Sequence, residues 1–286
     1  MKLVPTKIAG QAFKAFYDDV DELLDTFFHA SSASNTIMYR GISRDTEKYP
    51  SIMRKWWNGK AQDIHYTKEL PMLREFRKYG ATLLESNHNA IDFVSCAQHF
   101  GVPTRLLDWT TDPFVALFFA LSAKPSNEED FGYKILVCDK EYQIIFDDCY
   151  FVANVVDIEN SASDNIIHSY DRFINQINQP NLLKSIYENK YGKNQTTESF
   201  YSRFIVLEPN HSNPRLNAQS GIFVIPKTRD QKKIDMEYRA ANVKPIKIDA
   251  KIRDEVIKRL GNLGYSRVKL FFDLQNIAEY ICSQFL

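Results

Sequence analysis

Residues 97–110 read Ala97-Gln98-His99-Phe100-Gly101-Val102-Pro103-Thr104-Arg105-Leu106-Leu107-Asp108-Trp109-Thr110, and Asp112-Pro113 then opens Phe114-Val115-Ala116-Leu117-Phe118-Phe119-Ala120. Gly101 and Pro103 are stop signals for a helix that begins near Ala90. Thr104 to Thr110 then predicts a strand. Asp112 has the chemistry of an N-cap, and Pro113 suits the first helical position. The helix Pro113 to Ala123 is apolar on nearly every face, so it is expected to be buried. A strand that feeds straight into a buried helix implies a sheet with a helix packed on it.

Working outward, Gln11 to His29 carries Phe13, Phe16, Tyr17, Val20, Leu23, Leu24, Phe27 and Phe28 at spacings of three and four. This predicts an amphipathic helix, ended by Ala30 to Asn35. Ile37-Met38-Tyr39-Arg40-Gly41 predicts a short strand with Ile37 and Tyr39 on one face and Met38 and Arg40 on the other. Pro50 to Arg54 reads as a turn and Lys68 to Glu85 as a helix. Strands are expected at Tyr133 to Asp139, Tyr142 to Phe146, Arg203 to Leu207, Gly221 to Pro226, Val243 to Ile248 and Val268 to Phe272. Asp249 caps a helix ending near Gly261 or Gly264, and Leu274 to Phe285 is the last helix. Residues 158–200 are rich in Asn, Ser, Gln and Lys, with helical islands at Asn165 to Ile177 and Leu182 to Tyr191. They hold too few apolar residues for a core of their own and read as an insertion. The expectation is an α+β fold: a mixed, mainly antiparallel sheet with flanking helices and a polar helical insertion. Residues 1–35 would form an N-terminal helix and 36–286 the main domain.

Composition narrows the function. The chain has 286 residues with 36 basic and 36 acidic side chains, so nothing favours bulk nucleic-acid binding. Lys184, Lys190 and Lys193 form either a local basic patch or a solvated helical face. Cys96, Cys138, Cys149 and Cys282 make no C-x-x-C pair, which speaks against a zinc ribbon or disulfide framework and fits a reducing compartment. The six histidines show no metal-ligand spacing, so no metal site is expected. Met1 to Gln11 lacks a signal-peptide run, and Phe114 to Leu121 is far too short to span a bilayer. The expected location is cytoplasmic, with no membrane partner.

Three segments carry unusual residue combinations: Tyr39-Arg40-Gly41; the stretch 97–110 with its buried helix; and Arg215-Leu216-Asn217-Ala218-Gln219-Ser220-Gly221-Ile222-Phe223. In this order they resemble the FRG domain, named after an aromatic-Arg-Gly motif. The third segment is similar to the family's R-x-x-x-Q-x-G-x-F element. Leu270-Phe271-Phe272-Asp273-Leu274 looks like its closing motif, with Phe where Pro is expected. The resemblance covers roughly residues 36–286, interrupted by the polar insertion. The family is defined by sequence and brings no settled activity with it.

The layout also resembles that of ADP-ribosyltransferases, in which a first-strand Arg or His followed by Gly grips NAD and a late Glu acts on the ribose. This resemblance implies an ADP-ribosyltransferase-like sheet and NAD as substrate. It also implies a macromolecular acceptor, protein or nucleic acid, as for a toxin or anti-phage defence effector. Carried onto this chain, the catalytic residues would be Arg40, Gln219 and Asp108. The NAD contacts would be Tyr39, Arg40, Gly41, His99, Thr104, Arg105 and Arg215. Gly41 would offer backbone groups to the carboxamide, and Arg40 a charged fork to the pyrophosphate or ribose. One departure matters: no Gln-x-Glu or Glu-x-Glu pair lies on a late strand. Gln219 stands there, and Glu208 is the nearest acid. A non-catalytic nucleotide- or nucleic-acid-binding module using the same cleft is therefore the alternative.

Each residue also has a plainer reading. Arg40 on its own is a strand-end arginine. Asp108 sits among apolar neighbours and needs a partner. In an extended segment Arg105 faces away from it, so Arg40 is the better choice, and that pair would be structural or functional. His99 lies in a helix's last turn, where the dipole favours an imidazolium. Arg215 and Gln219 share parity if extended, with Gly221 leaving room beside them. Ser95-Cys96 with His99 lacks the strained turn of a nucleophile. Tyr39, Arg40, Arg105, Asp108, Arg215 and Gln219 are expected to converge on one pocket.

Overall fold

A computed structural model of the chain describes residues 6–33, 37–54, 67–83, 90–140, 144–147, 165–177, 205–209, 214–228, 230–271 and 274–285. The strands are β1 (Thr6–Ile8), β2 (Gln11–Phe13), β3 (Phe16–Tyr17), β4 (Ile37–Arg44), β5 (Leu107–Thr110), β6 (Phe131–Asp139), β7 (Ile144–Asp147), β8 (Ile205–Glu208), β9 (Gly221–Ile225) and β10 (Lys244–Ile248). The main helices are α1 (Val20–Ala33), α2 (Glu69–Gly80), α3 (Ala90–His99), α4 (Pro113–Ser122), α5 (Asn165–Ile177), α6 (Pro214–Ala218), α7 (Gln231–Ala240), α8 (Arg253–Asn262), α9 (Arg267–Leu270) and α10 (Leu274–Phe285).

Eight strands form one open sheet in the order β3-β10-β6-β4-β5-β9-β8-β7. The pairs β10–β3 and β7–β8 are parallel, and all other neighbours are antiparallel. Alternation sorts the apolar side chains onto two faces. Met38, Ile42, Leu107, Trp109, Leu136 and Val224 pack on one face with Tyr238 of α7. The other face carries two separate cores. One gathers Tyr39, Ile135, Val137 and Ile246 under α1, α4 and α8. The second gathers Ile205, Leu207, Phe223 and Ile225 under α3 and α5. The boundary between these half-layers falls at β4 and β5.

The decisive stretch folds as read, with the strand shortened. Asp112 Oδ1 accepts from the N–H groups of Phe114 (2.8 Å) and Val115 (3.3 Å). Val115, Ala116, Leu117, Ala120 and Leu121 of α4 are fully buried. Gly41 is what lets α4 lie so close. A Cβ built on it would stand 1.9 Å from the Ala116 carbonyl oxygen and 2.6 Å from the Ala120 nitrogen.

Three expectations fail for local reasons. The first helix starts at Val20, not Gln11. Ala9 and Gly10 have φ of 47° and 82°, a turn that pairs β1 with β2, and the Asp19 carboxylate caps α1 by accepting from Glu22 N–H at 2.9 Å. Residues 267–270 form the helical turn α9 rather than a strand. Arg215 and Gln219 are not on one extended segment, because Pro214 opens α6 and Ser220 reverses the chain with φ of 44°. Of the polar insertion only α5 is described, and it packs on the second core through Tyr170, Phe173 and Ile174. Leu182 to Tyr191, with Lys184, Lys190 and Lys193, lies outside the described residues. Among the described residues no helix is long and apolar enough to cross a membrane.

Candidate functional site

The register between β4 and β5 is a single pair, Tyr39 with Thr110. On its other side β4 pairs with β6 from Ile37 to Arg44, and β5 pairs with β9 along its whole length. The sheet therefore parts in its middle, below the gap between the two half-layers. A cleft of about 280 Å³ fills this place, lined by Tyr39, Gly41, Asp108, Thr110, Gln219 and Gly221 together with arginines from both walls. Its size is at the lower edge of the roughly 300–1,000 Å³ usual for ligand pockets.

The parted strands leave main-chain groups without ladder partners, and Arg40 supplies one replacement. Its Nη1 donates to the carbonyl of Asp108, while Nε (3.2 Å) and Nη2 (2.9 Å) donate to the carbonyl of Glu47. The expected ion pair between Arg40 and the Asp108 carboxylate is not formed. That carboxylate instead accepts from Gln98 Nε2 at 2.9 and 2.8 Å. Thr104 Oγ1 donates to Gln98 Oε1, which turns the amide so that its N–H groups face Asp108.

Four arginines line the cleft, Arg40, Arg44, Arg54 and Arg215, against two carboxylates, Asp108 and Glu47. Arg44 is paired with Glu128 (2.7 and 3.0 Å). The Glu47 carboxylate is occupied by the N–H groups of Ser43 (2.7 Å) and Arg44 (3.2 Å). Arg54 donates from Nε to the Tyr49 carbonyl (2.9 Å) and from Nη2 to the Glu47 carbonyl (3.1 Å). Burial, and then the neighbouring Arg40 charge, push the Arg54 pKa down to about 10. Arginine stays charged at ordinary pH, so the shift expresses the cost of holding this cation where it is. Tyr39 also lines the cleft, with its hydroxyl buried and unpartnered among the described residues. Burial, then the Asp112 charge, raise its pKa well above the usual phenol value.

The other expected residues are placed as follows. Arg215 and Gln219 line the cleft. Gln219 Nε2 donates to the Leu270 carbonyl (2.7 Å), and Thr110 Oγ1 donates to the Gln219 carbonyl (2.7 Å). His99 does not line the cleft but holds Arg215, with Nδ1 2.5 Å from Nη1. Thr104 is fully buried and acts through Gln98. Arg105 is not brought to the site. It is buried in an ion pair with Glu69, whose carboxylate also accepts from Arg105 N–H (2.8 Å) and Tyr170 Oη (2.9 Å). Arg105 lies at the bend before β5, outside the strand, and among the described residues it is the basic partner of Glu69. Glu208 lies on β8 bonded to Lys140 at 2.8 Å, outside the cleft. Arg54 and Gln98 received no role from the sequence.

A mainly antiparallel α+β sheet, split at its centre over an arginine-rich cleft, defines the class. Residues 35–129 match the model of the FRG domain, and the chain carries that domain there. The match includes β4, Arg54, Gln98, Asp108 and α4, whereas Arg215 and Gln219 fall outside it. Neither the curated proteins nor the solved structures contain a match to the chain.

Proposed function

We propose that this cleft binds NAD and that the protein is an ADP-ribosyltransferase-like enzyme acting on a macromolecular acceptor. The observation that carries the reading is the Asp108 carboxylate, fixed by Gln98 in a cleft otherwise dominated by arginine. NAD supplies a glycosidic bond whose cleavage sends the bonding electrons to nicotinamide and leaves positive charge on the ribose. A carboxylate already oriented by a neutral amide stabilises such charge without reorganising. Of the two cleft carboxylates, Asp108 suits this role, because Glu47 is occupied by main-chain donors. The surplus of arginines suits an anionic ligand. The volume is small for a whole dinucleotide, so part of it would extend beyond the enclosed space.

The test is equilibrium binding of NAD followed by an assay for nicotinamide release with the unmodified chain and Asp108→Asn. Asp108→Asn should bind NAD as well as the unmodified protein and release nicotinamide about 10²–10³-fold more slowly. No NAD binding, or equal release by both proteins, would remove the reading. A non-catalytic nucleotide-binding module is the second reading. It is favoured by Gln219, whose amide is spent on the Leu270 carbonyl.

A further inference from the structure

Arg54 and Arg40 approach one oxygen, the Glu47 carbonyl, which accepts from Arg40 Nε and Nη2 and from Arg54 Nη2. Two guanidinium groups sharing a neutral acceptor repel each other, and each retains N–H groups without a partner among the described residues. Arg54 Nη1 makes no bond among the described residues, yet it is not a buried orphan. It therefore has access to solvent in the cleft.

The segment that carries Arg54 is held rigidly. Ile52 N–H donates to the Thr104 carbonyl (3.2 Å), Ser51 Oγ accepts from Thr104 N–H (3.0 Å), and Gln231 Nε2 donates to the Met53 carbonyl (3.1 Å). Tyr238 Oη donates to the Lys48 carbonyl (2.7 Å). This framework fixes a charged fork before any ligand arrives, which lowers the ordering cost of binding.

We infer that this end of the cleft is a diphosphate subsite in which Arg54 makes the primary contact with the anion. Arg40 is mainly the brace that joins β4 to β5. The ligand class is thus a nucleoside diphosphate or its ester, which rests on the nucleotide reading above and narrows it. An anion between the two guanidinium groups relieves their mutual repulsion and takes up the idle donors bidentately. The lowered pKa of Arg54 agrees with a cation awaiting its counter-charge.

The experiment compares ADP, adenosine and inorganic pyrophosphate by calorimetry on the full chain, the Arg54→Gln variant and the Arg54→Lys variant. ADP and pyrophosphate should bind the unmodified chain, and Arg54→Gln should weaken ADP by about 10–100-fold while adenosine changes less than about two-fold. Should Arg54→Gln fail to fold, Arg54→Lys carries the test. It keeps the charge but not the fork, and should weaken ADP by about 10-fold. The inference is overturned if ADP affinity is independent of Arg54, if adenosine loses as much as ADP, or if the unmodified chain ignores both ADP and pyrophosphate. NAD binding that is indifferent to Arg54 would sink the subsite and leave the transferase reading standing. Arg54-dependent ADP binding without nicotinamide release would support the subsite and sink the transferase.

Discussion

The guanidinium of Arg40 donates to the main-chain carbonyl of Asp108, not to its carboxylate, and so bridges two strands whose own ladder has ended. This sets how the site responds to mutation. Arg40→Ala strips donors from the Asp108 and Glu47 carbonyls but leaves no unpaired buried charge. The expected cost is about 1–3 kcal/mol, below the roughly 3–5 kcal/mol of breaking a buried ion pair. Chemical denaturation of the variant decides between these values.

The larger loss belongs to Glu69. Its side chain is fully buried and its cation, Arg105, is nearly so. Glu69→Gln should destabilise the fold by about 3–5 kcal/mol, because Arg105 is left uncompensated. The double variant Glu69→Met/Arg105→Met should recover much of that stability and, on the proposed NAD reading, show unchanged NAD affinity. Weakened NAD binding in the folded double variant would return Arg105 to the ligand site.

Gly41→Ala tests the contact between strand and helix. The added methyl meets main-chain atoms of Ala116 and Ala120, which cannot rotate aside. The loss should lie at the upper end of about 1–3 kcal/mol or beyond it, seen as a lower Tm. An unchanged Tm would mean that α4 can draw back from β4 at little cost.

How much of this was legible in the sequence follows from the range of the interactions. Asp112-Pro113 and Gly101 act within a few residues, so α4 and the end of α3 could be read directly. The pairing of Arg105 with Glu69 could not, because Arg105 lies at a bend where strand parity does not apply and its partner stands 36 residues away. Gln98 was visible inside a dense motif, but its role depends on the Thr104 hydroxyl choosing the amide's orientation. Arg54 looked like the end of a turn. Its one signal was the company of Ile52 and Met53, both buried, which draws a following arginine inward. Gln219 was expected to face the ligand from an extended segment, and Pro214 made that segment helical instead.

Gln219→Ala separates two roles. If the amide mainly ties Leu270, amide exchange across Arg267–Leu270 should quicken and stability should fall by about 1–3 kcal/mol, with nicotinamide release per folded molecule little changed. A drop of about 10²–10³-fold in release with exchange unaltered would show instead that it acts on the ribose.

Thr104→Val probes the second layer behind Asp108. Without the hydroxyl, the Gln98 amide loses the contact that fixes its orientation, at a cost of about 1 kcal/mol. Nicotinamide turnover should fall while NAD affinity stays within about two-fold, a split that a purely structural residue would not produce.

The sheet order has a consequence for how the chain reaches its native state. Strand β3, near the start, lies beside β10, and the core above them also needs Leu260 and Leu270 from near the end. The stretch matching the FRG domain holds β4 and β5, joined by one residue pair, while their full-length neighbours β6 and β9 emerge later from the ribosome. Such long-range pairing makes folding slow and leaves strand edges and apolar faces bare during synthesis. The cleft is thus assembled only after Gln219 and β9 have been made.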